Sequence, residues 1–420
     1  MHDGDLIELD ITGIAHGGVF VGRHEGRVVF VPDTLPGERI RARLTDTRKK
    51  AFWRAEAIEV LEAAPERQPH VWQAAAIEVD PSERVGGAEF GHIALAHQRA
   101  LKERVIREAV ERVGRLELPV EVAIAGDDAQ RESSDGTGWR TRVSLHVDDG
   151  GRVGAFAARS HHVVETVDLP LATEAIALAA SEVRAGRALP GRIDLVQPAD
   201  GRVRVLPRPE GERPSSEPEV IEERVGDRVF RVGAGGFWQV HRLAARTLTS
   251  LVSAELTASL GGLDPDATHL DLYGGVGLFA ATLGEMGGSG TRVVSVESDP
   301  RATEHAGENL AEWIGARAET ARVDRFVAAL AAGASARERE RLSRGVVLLD
   351  PPRAGAGRAV VEGIAALAPT AVVYVACDPV ALSRDLATFA ELGYRADRGI
   401  RGVDLFPNSH HVEAVTVLRR

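Results

Sequence analysis

Four short apolar runs, each followed by a stretch of helical character, dominate the second half of the chain. They are "HLDLYG" from His269, "RVVSVE" ending at Glu297, "GVVLLDPP" from Gly345 and "AVVYVACD" from Ala371. Runs of this length read as buried strands. Apolar strands alternating with helices need cover on both faces, which implies a parallel α/β sheet with helices on both sides. Ligands of such sheets sit outside the carboxyl ends of the strands. The residues leaving those ends are therefore where chemistry is to be sought.

The first sixty residues follow another rhythm. "DLIELDITGIA", "HGGVFVGRHEGRVVFVP" and "ERIRARLTDTRKKAFWRAEAIEVL" are strand-length patterns broken by glycine turns, as in a five-stranded barrel of the oligonucleotide-binding type. Arg39, Arg41, Arg43, Arg48, Lys49, Lys50 and Arg54 surround Phe52 and Trp53 there. That mixture suits phosphate contacts with base stacking, and equally a strand edge protected by charge. Between the two regions, "LAHQRALKERVIREAVERVGRL" reads as an amphipathic helix. "WRTRVSLHVDDGGRVGAF" reads as a hairpin about its "DDGG" turn. Residues 127–138 read as a polar loop and 208–220 as a flexible excursion. The expected organisation is a barrel at 1–62, a mixed α+β central domain at 63–235 and an α/β domain at 236–420. The helix over 95–115 is free to pack on the last of these.

Composition excludes several classes. With one cysteine in 420 residues, intramolecular disulfides, thiolate-bridged clusters and Cys-rich zinc sites are ruled out. No metal site is expected; His70 and His92 with a carboxylate are a minor zinc candidate. No apolar run approaches the roughly 18 residues of a membrane span, and the acidic start "MHDGDLIELD" is no signal peptide. Cytoplasmic residence, no membrane partner and a monomer are the expectations. A net charge of −11 argues against a wholly basic nucleic-acid binder but allows a local basic surface.

Each strand end carries something. "LDLYGGVGLFAA" is a strand, a glycine turn and a helix, and Gly274, Gly275 and Gly277 let the backbone pass close to a ligand. Glu297 ends the next strand, where a carboxylate can accept both ribose hydroxyls. Leu278 and Ala280 stand where a dinucleotide site would want its last glycine, which favours S-adenosylmethionine over a nicotinamide. Asp350 leaves a third strand before two prolines. Cys377 leaves a fourth, and Glu413 begins a final strand. A buried cysteine is commonly an inert small hydrophobe. Beside Asp350 and a methyl donor, however, a cysteine and a carboxylate form a working set. The thiolate adds to C6 of a uracil, C5 becomes nucleophilic, and Glu413 removes the C5 proton. The base must leave its stack to be reached.

In these residues the chain resembles the RNA 5-methyluridine methyltransferases, a class I family. "GGFWQVH", "LDLYGGVGLF", "DPPRAG", "YVACDPVALSRDL" and "FPNSHHVEAV" follow in family order. The resemblance implies a Rossmann-like sheet, an N-terminal RNA-binding barrel called TRAM, and an RNA substrate. Ribosomal RNA is the expected target; transfer RNA or a catalytically idle RNA-binding protein are the alternatives. It further implies S-adenosyl-L-methionine held by Gln239, Tyr273, Gly275, Gly277, Leu278, Glu297, Asp324 and Asp350, with Cys377 as nucleophile and Glu413 as base. Two departures stand out. Many members carry a four-cysteine iron–sulfur site, but Val85, Ala88 and Leu169 occupy its positions here, so no cluster is expected. Asp378 follows the cysteine where the family has Asn, and its charge would disfavour a thiolate unless it is engaged locally.

Overall fold

The structure, a computed structural model, describes residues 1–127, 130–166, 168–186, 188–211 and 219–420. Most of the excursion expected at 208–220, and part of the polar loop at 127–138, lie outside the described residues.

Strands β1 (Leu6–Ala15), β2 (Val19–His24), β3 (Arg27–Val31), β4 (Arg39–Asp46) and β5 (Phe52–Glu62) close into a barrel in the order β1-β2-β3-β5-β4. Alternation drives the closure: Ile7, Leu9 and Ile11 of β1 point inward while their neighbours face water. Phe90, Ile93 and Leu101, from beyond the barrel, complete its core. The basic stretch is largely neutralised by register. Arg39 and Arg41 pair with Glu8, Arg41 also with Glu59, and Arg43 with Glu56. Trp53 is buried beneath Arg27, and Lys49 lies 4.9 Å over Phe52.

The chain then forms α1 (Leu95–Ala109), a single π-helical turn (Val110–Gly114) and β6 (Val120–Ile124). The central sheet comprises β7 (Arg142–Val147), β8 (Val153–Phe156), β9 (Val163–Val164), β10 (Gly191–Val196) and β11 (Arg204–Pro209). Its order is β11-β10-β7-β8-β9, with α2 (Glu174–Ala185) packed on it. The β7–β8 hairpin turns at the expected "DDGG". Val85, Ala88 and Leu169 are buried in this unit's apolar core beside Trp72 and Trp139. None offers a ligating atom, so an iron–sulfur cluster does not fit these residues. His70 and His92 are engaged by backbone, through Ala88 O and Trp72 N for the first and Thr34 O for the second. Among the described residues no group of three or more His, Cys, Asp or Glu is placed to hold a metal.

A hairpin, β12 (Val220–Val225) and β13 (Arg228–Gly233), leads to α3 (Ala244–Leu260) and the large sheet. Its elements follow as β14 (Thr268–Leu272), α4 (Leu278–Gly287), β15 (Arg292–Glu297), α5 (Pro300–Asn309), β16 (Arg317–Thr320), α6 (Val323–Gly333) and α7 (Ala336–Ser343). Then come β17 (Val346–Leu349), α8 (Arg358–Leu367), β18 (Ala371–Ala376), α9 (Pro379–Glu391), β19 (Arg395–Ala396), β20 (Ile400–Asp404) and β21 (Glu413–Arg419). The strand order is β16-β15-β14-β17-β18-β21-β20-β6, with β19 beside β21. The first five run parallel, and β21 is antiparallel to β18. Every residue of β17 and β18 is buried, because helices cover both faces. The connections reverse direction between β14 and β17, so the crevice opens there. No helix among the described residues is long and apolar enough to cross a membrane.

Candidate active site

The turn after β14 is shaped by sterics. A Cβ on Gly274 would lie 2.1 Å from Ser295 Oγ, and Gly275 and Gly277 both take positive φ. Tyr273 also adopts φ 64°, a strained choice for a bulky residue. Leu278, buried, opens α4. Glu297 is bound tightly to backbone: Oε2 accepts from Gly275 N, while Oε1 accepts from Ser298 N and Oγ and from Asp299 N. Asp271 lies fully buried under the turn and accepts from Ala280 N and Ser295 Oγ. Burial, with some help from Glu297, pushes it up to about 7, and its Oδ1 has no partner. Tyr273 and Asp324 line one recess of about 480 Å³ with Ser298. Asp324 is half-buried and paired with Arg322, which holds its carboxyl below the usual range. Gln239 stands apart from this recess, on the segment between β13 and α3.

The other end of the rim is built by strand register. Ala376 pairs with Ala414 across β18 and β21, so one step further Cys377 stands opposite Glu413. Residues directly opposed in an antiparallel pair have Cα atoms roughly 4.5–5.5 Å apart. Asp350 leaves the parallel strand next door. Burial disfavours the charged form of all three groups, and neighbouring carboxyls add to it. Burial, then Glu413 and Asp350, pushes the Cys377 thiol up to about 12 against the opposing pull of Arg353. Burial, then Asp350, raises Glu413 well above the carboxylate range. Burial, then Asp271, brings Asp350 up to about 7.

Sequence reasoning singled out Asp378 but missed the other residues that hold this end together. Asp378 caps α9: Oδ1 accepts from Val380 N and Ala381 N, and Oδ2 lies 2.9 Å from Nε2 of His16. That is the local engagement its position demanded. His16 comes from the β1–β2 turn of the barrel, and the small cavity at Cys377 is lined by both units. Arg353 donates to His411 Nε2, and His410 Nδ1 meets Glu89. Two polar residues on the inner face of α1 reach the segment before Glu413. Lys102 Nζ pairs with buried Asp404 at 2.5 Å and donates to Phe406 O. Gln98 exchanges hydrogen bonds with Asn408, whose positive φ sets the turn. A Gln and a Lys on the buried side of an amphipathic helix were the available signal.

A mostly parallel sheet of this strand order, with a glycine turn after its first strand and an acid after its second, is a class I methyltransferase fold. Residues 3–58 match the TRAM domain model, and residues 264–420 match the tRNA (Uracil-5-)-methyltransferase model. An uncharacterized RNA methyltransferase of Streptomyces coelicolor is 37% identical, over 99% of this chain and 93% of its own. One from Bifidobacterium longum is 34% identical, over 98% and 96%. The structure of the Pyrococcus abyssi tRNA (uracil-54, C5)-methyltransferase, in complex with S-adenosyl-L-homocysteine, shares the fold. Its TM-score is 0.68 at 21% identity, covering 98% of this chain and 100% of that one. The chain belongs to the RNA methyltransferase family, with a TRAM domain ahead of its tRNA (uracil-5-)-methyltransferase domain.

Proposed function

We propose that the protein methylates C5 of a uridine in RNA through a covalent bond between Cys377 and C6 of the base. The observation carrying this reading is the β18–β21 register, which puts the chain's one thiol opposite a buried carboxyl. S-adenosylmethionine is the fitting methyl donor. The glycine turn leaves room for a ligand, and Asp271 keeps an unpartnered oxygen beneath it. Gln239, Tyr273, Gly275, Gly277, Leu278, Glu297, Asp324 and Asp350 are the residues proposed to hold it, Asp324 from the rim of the recess. When bound, it supplies a methyl group on a sulfonium, an electrophile that needs no further activation.

The chain's own groups do the rest. A thiol held near 12 is not a standing thiolate, so its proton must leave as sulfur approaches C6. Asp350, brought up to about 7, is proposed to receive it, which leaves Glu413 to act in the later step. The S–C6 bond forms, and the C5–C6 π pair moves to C5. Once C5 is methylated, Glu413 takes the C5 proton, the C5–C6 double bond returns and Cys377 leaves. Uracil must be out of its stack throughout, and the TRAM barrel at the mouth of the Cys377 cavity suits a single-stranded segment.

Two measurements test this. Mapping 5-methyluridine in RNA from a strain lacking the gene should show one loss, first sought in ribosomal RNA and then in transfer RNA. Glu413→Gln should stall with RNA attached to the enzyme, seen as a slow band on a denaturing gel. Lost activity with no such band would place Glu413 before methyl transfer. The positions of Val85, Ala88 and Leu169 support a protein that works without an iron–sulfur cluster.

A further inference from the structure

A cleft of about 620 Å³ opens in the central domain and takes no part in the chemistry above. That size lies within the roughly 300–1,000 Å³ of small-ligand sites. Glu89 lines it and also holds His410 beside Cys377, so one wall separates the cleft from the catalytic cavity. Gly235 and Gly236, just ahead of Gln239, line it too.

Its chemistry is specific. His146 and Phe156 stack with ring centroids 3.5 Å apart and planes 15° from parallel. The acids around them are spent: Asp194 is taken by Ser144, Arg192 and Arg208, and Glu89 by His410. Arg142 is likewise occupied, by Glu223 and Gly236 O. Two cations remain. Arg140 has no carboxylate within 4.0 Å among the described residues; its Nε donates to Arg142 O and its guanidinium lies 5.8 Å from the Trp139 ring centroid. Arg159 is exposed on the rim, in the turn between β8 and β9, where its φ is 61°. A stacked aromatic pair flanked by two guanidinium groups that no carboxylate among the described residues neutralises is a site for a flat base and its phosphate.

We infer that this cleft takes a second unpaired nucleobase of the RNA substrate, close in sequence to the methylated uridine. The base stacks against the His146–Phe156 pair, and its phosphate lies on Arg140 and Arg159. This rests on the reading of the protein as an RNA uridine methyltransferase. Extruding the target base breaks stacking with its neighbours, and the cleft replaces that stacking while reading the neighbour's identity.

The test uses the full chain, labelled S-adenosylmethionine and RNA from a strain lacking the gene. Phe156→Leu removes the aromatic face while keeping an apolar side chain, and Arg159→Ala removes an exposed cation. Each should raise KM for RNA by roughly tenfold, with kcat and S-adenosylmethionine affinity unchanged. Ultraviolet cross-linking of the wild-type complex should attach a nucleotide to the peptide containing Phe156. Unchanged KM in both variants, or cross-links confined to the barrel and Cys377, would overturn the inference. Wild-type protein that transfers no methyl group overturns the parent reading instead, and the cross-link still reports on the cleft.

Discussion

Glu297 and Glu413, at the two ends of the strand rim, are held in opposite ways. At the glycine-turn end Glu297 is surrounded by donors from the β14 and β15 turns, and both of its oxygens are engaged. At the Cys377 end, burial and neighbouring carboxyls push Cys377, Asp350 and Glu413 toward their protonated forms. A binding site profits from groups whose hydrogen bonds are already made. A proton-transfer site profits from a carboxyl left wanting, as Asp350 is at about 7, because such a group both takes and gives a proton near neutrality. One sheet thus serves both purposes by changing only what leaves each strand.

Removing the thiol should separate the two ends most completely. Cys377→Ala is expected to lower methyl transfer by roughly 10⁴-fold or more, while S-adenosylmethionine affinity measured by calorimetry stays within about twofold. Appreciable turnover would mean the base is methylated without a covalent adduct. A smaller effect is carried by pH. With the thiol near 12, each pH unit gained below that value raises the thiolate fraction about tenfold, and ionising Asp350 and Glu413 turns each into the base that its step needs. The profile of kcat/KM should therefore climb from about pH 6 to about pH 9. A descending limb in that interval would mean that a protonated carboxyl is required.

His16 tests whether the barrel belongs to the nucleophile end. Its bond to Asp378 is half-exposed, and such contacts are worth about 1 kcal/mol or less. His16→Ala should therefore lower kcat/KM for RNA by only about two- to fivefold, with S-adenosylmethionine affinity untouched. A loss as deep as that of Cys377→Ala would make the histidine part of the chemistry. The smallest expectation is no effect at all: dialysis against a chelator should change neither melting temperature nor activity, and metal analysis should find no stoichiometric iron or zinc. An iron signal with a visible absorption band would refute it.

The sheet and its rim were legible because their signals are local. A buried strand is a short apolar run, a ligand turn needs glycine at fixed steps, and Cys377 and Glu413 fall at strand ends. What was not legible depends on partners distant in sequence. Gln98 and Lys102 meet Asn408 and Asp404, residues 310 and 302 positions away. No window of sequence joins them. The arginines of β4 looked like an open basic stripe because Glu8, Glu56 and Glu59 face them only through barrel register. Asp378 looked like an obstacle to the thiolate until its capping bonds and His16 were seen.

One edge of the large sheet has a consequence for how the chain is made. β6 pairs in parallel with β20, a partner 280 residues further along. At roughly 5–20 residues per second of synthesis, β6 waits about a quarter of a minute to a minute for the strand it must join. During that time a five-residue segment, VEVAI, has an open edge, and Glu121 is the charge that guards it. The sheet that holds the nucleophile is thus completed from both ends of the message. A fragment starting at residue 264 would leave the ribosome with β20 uncovered, an edge ready to pair with the same edge of another copy.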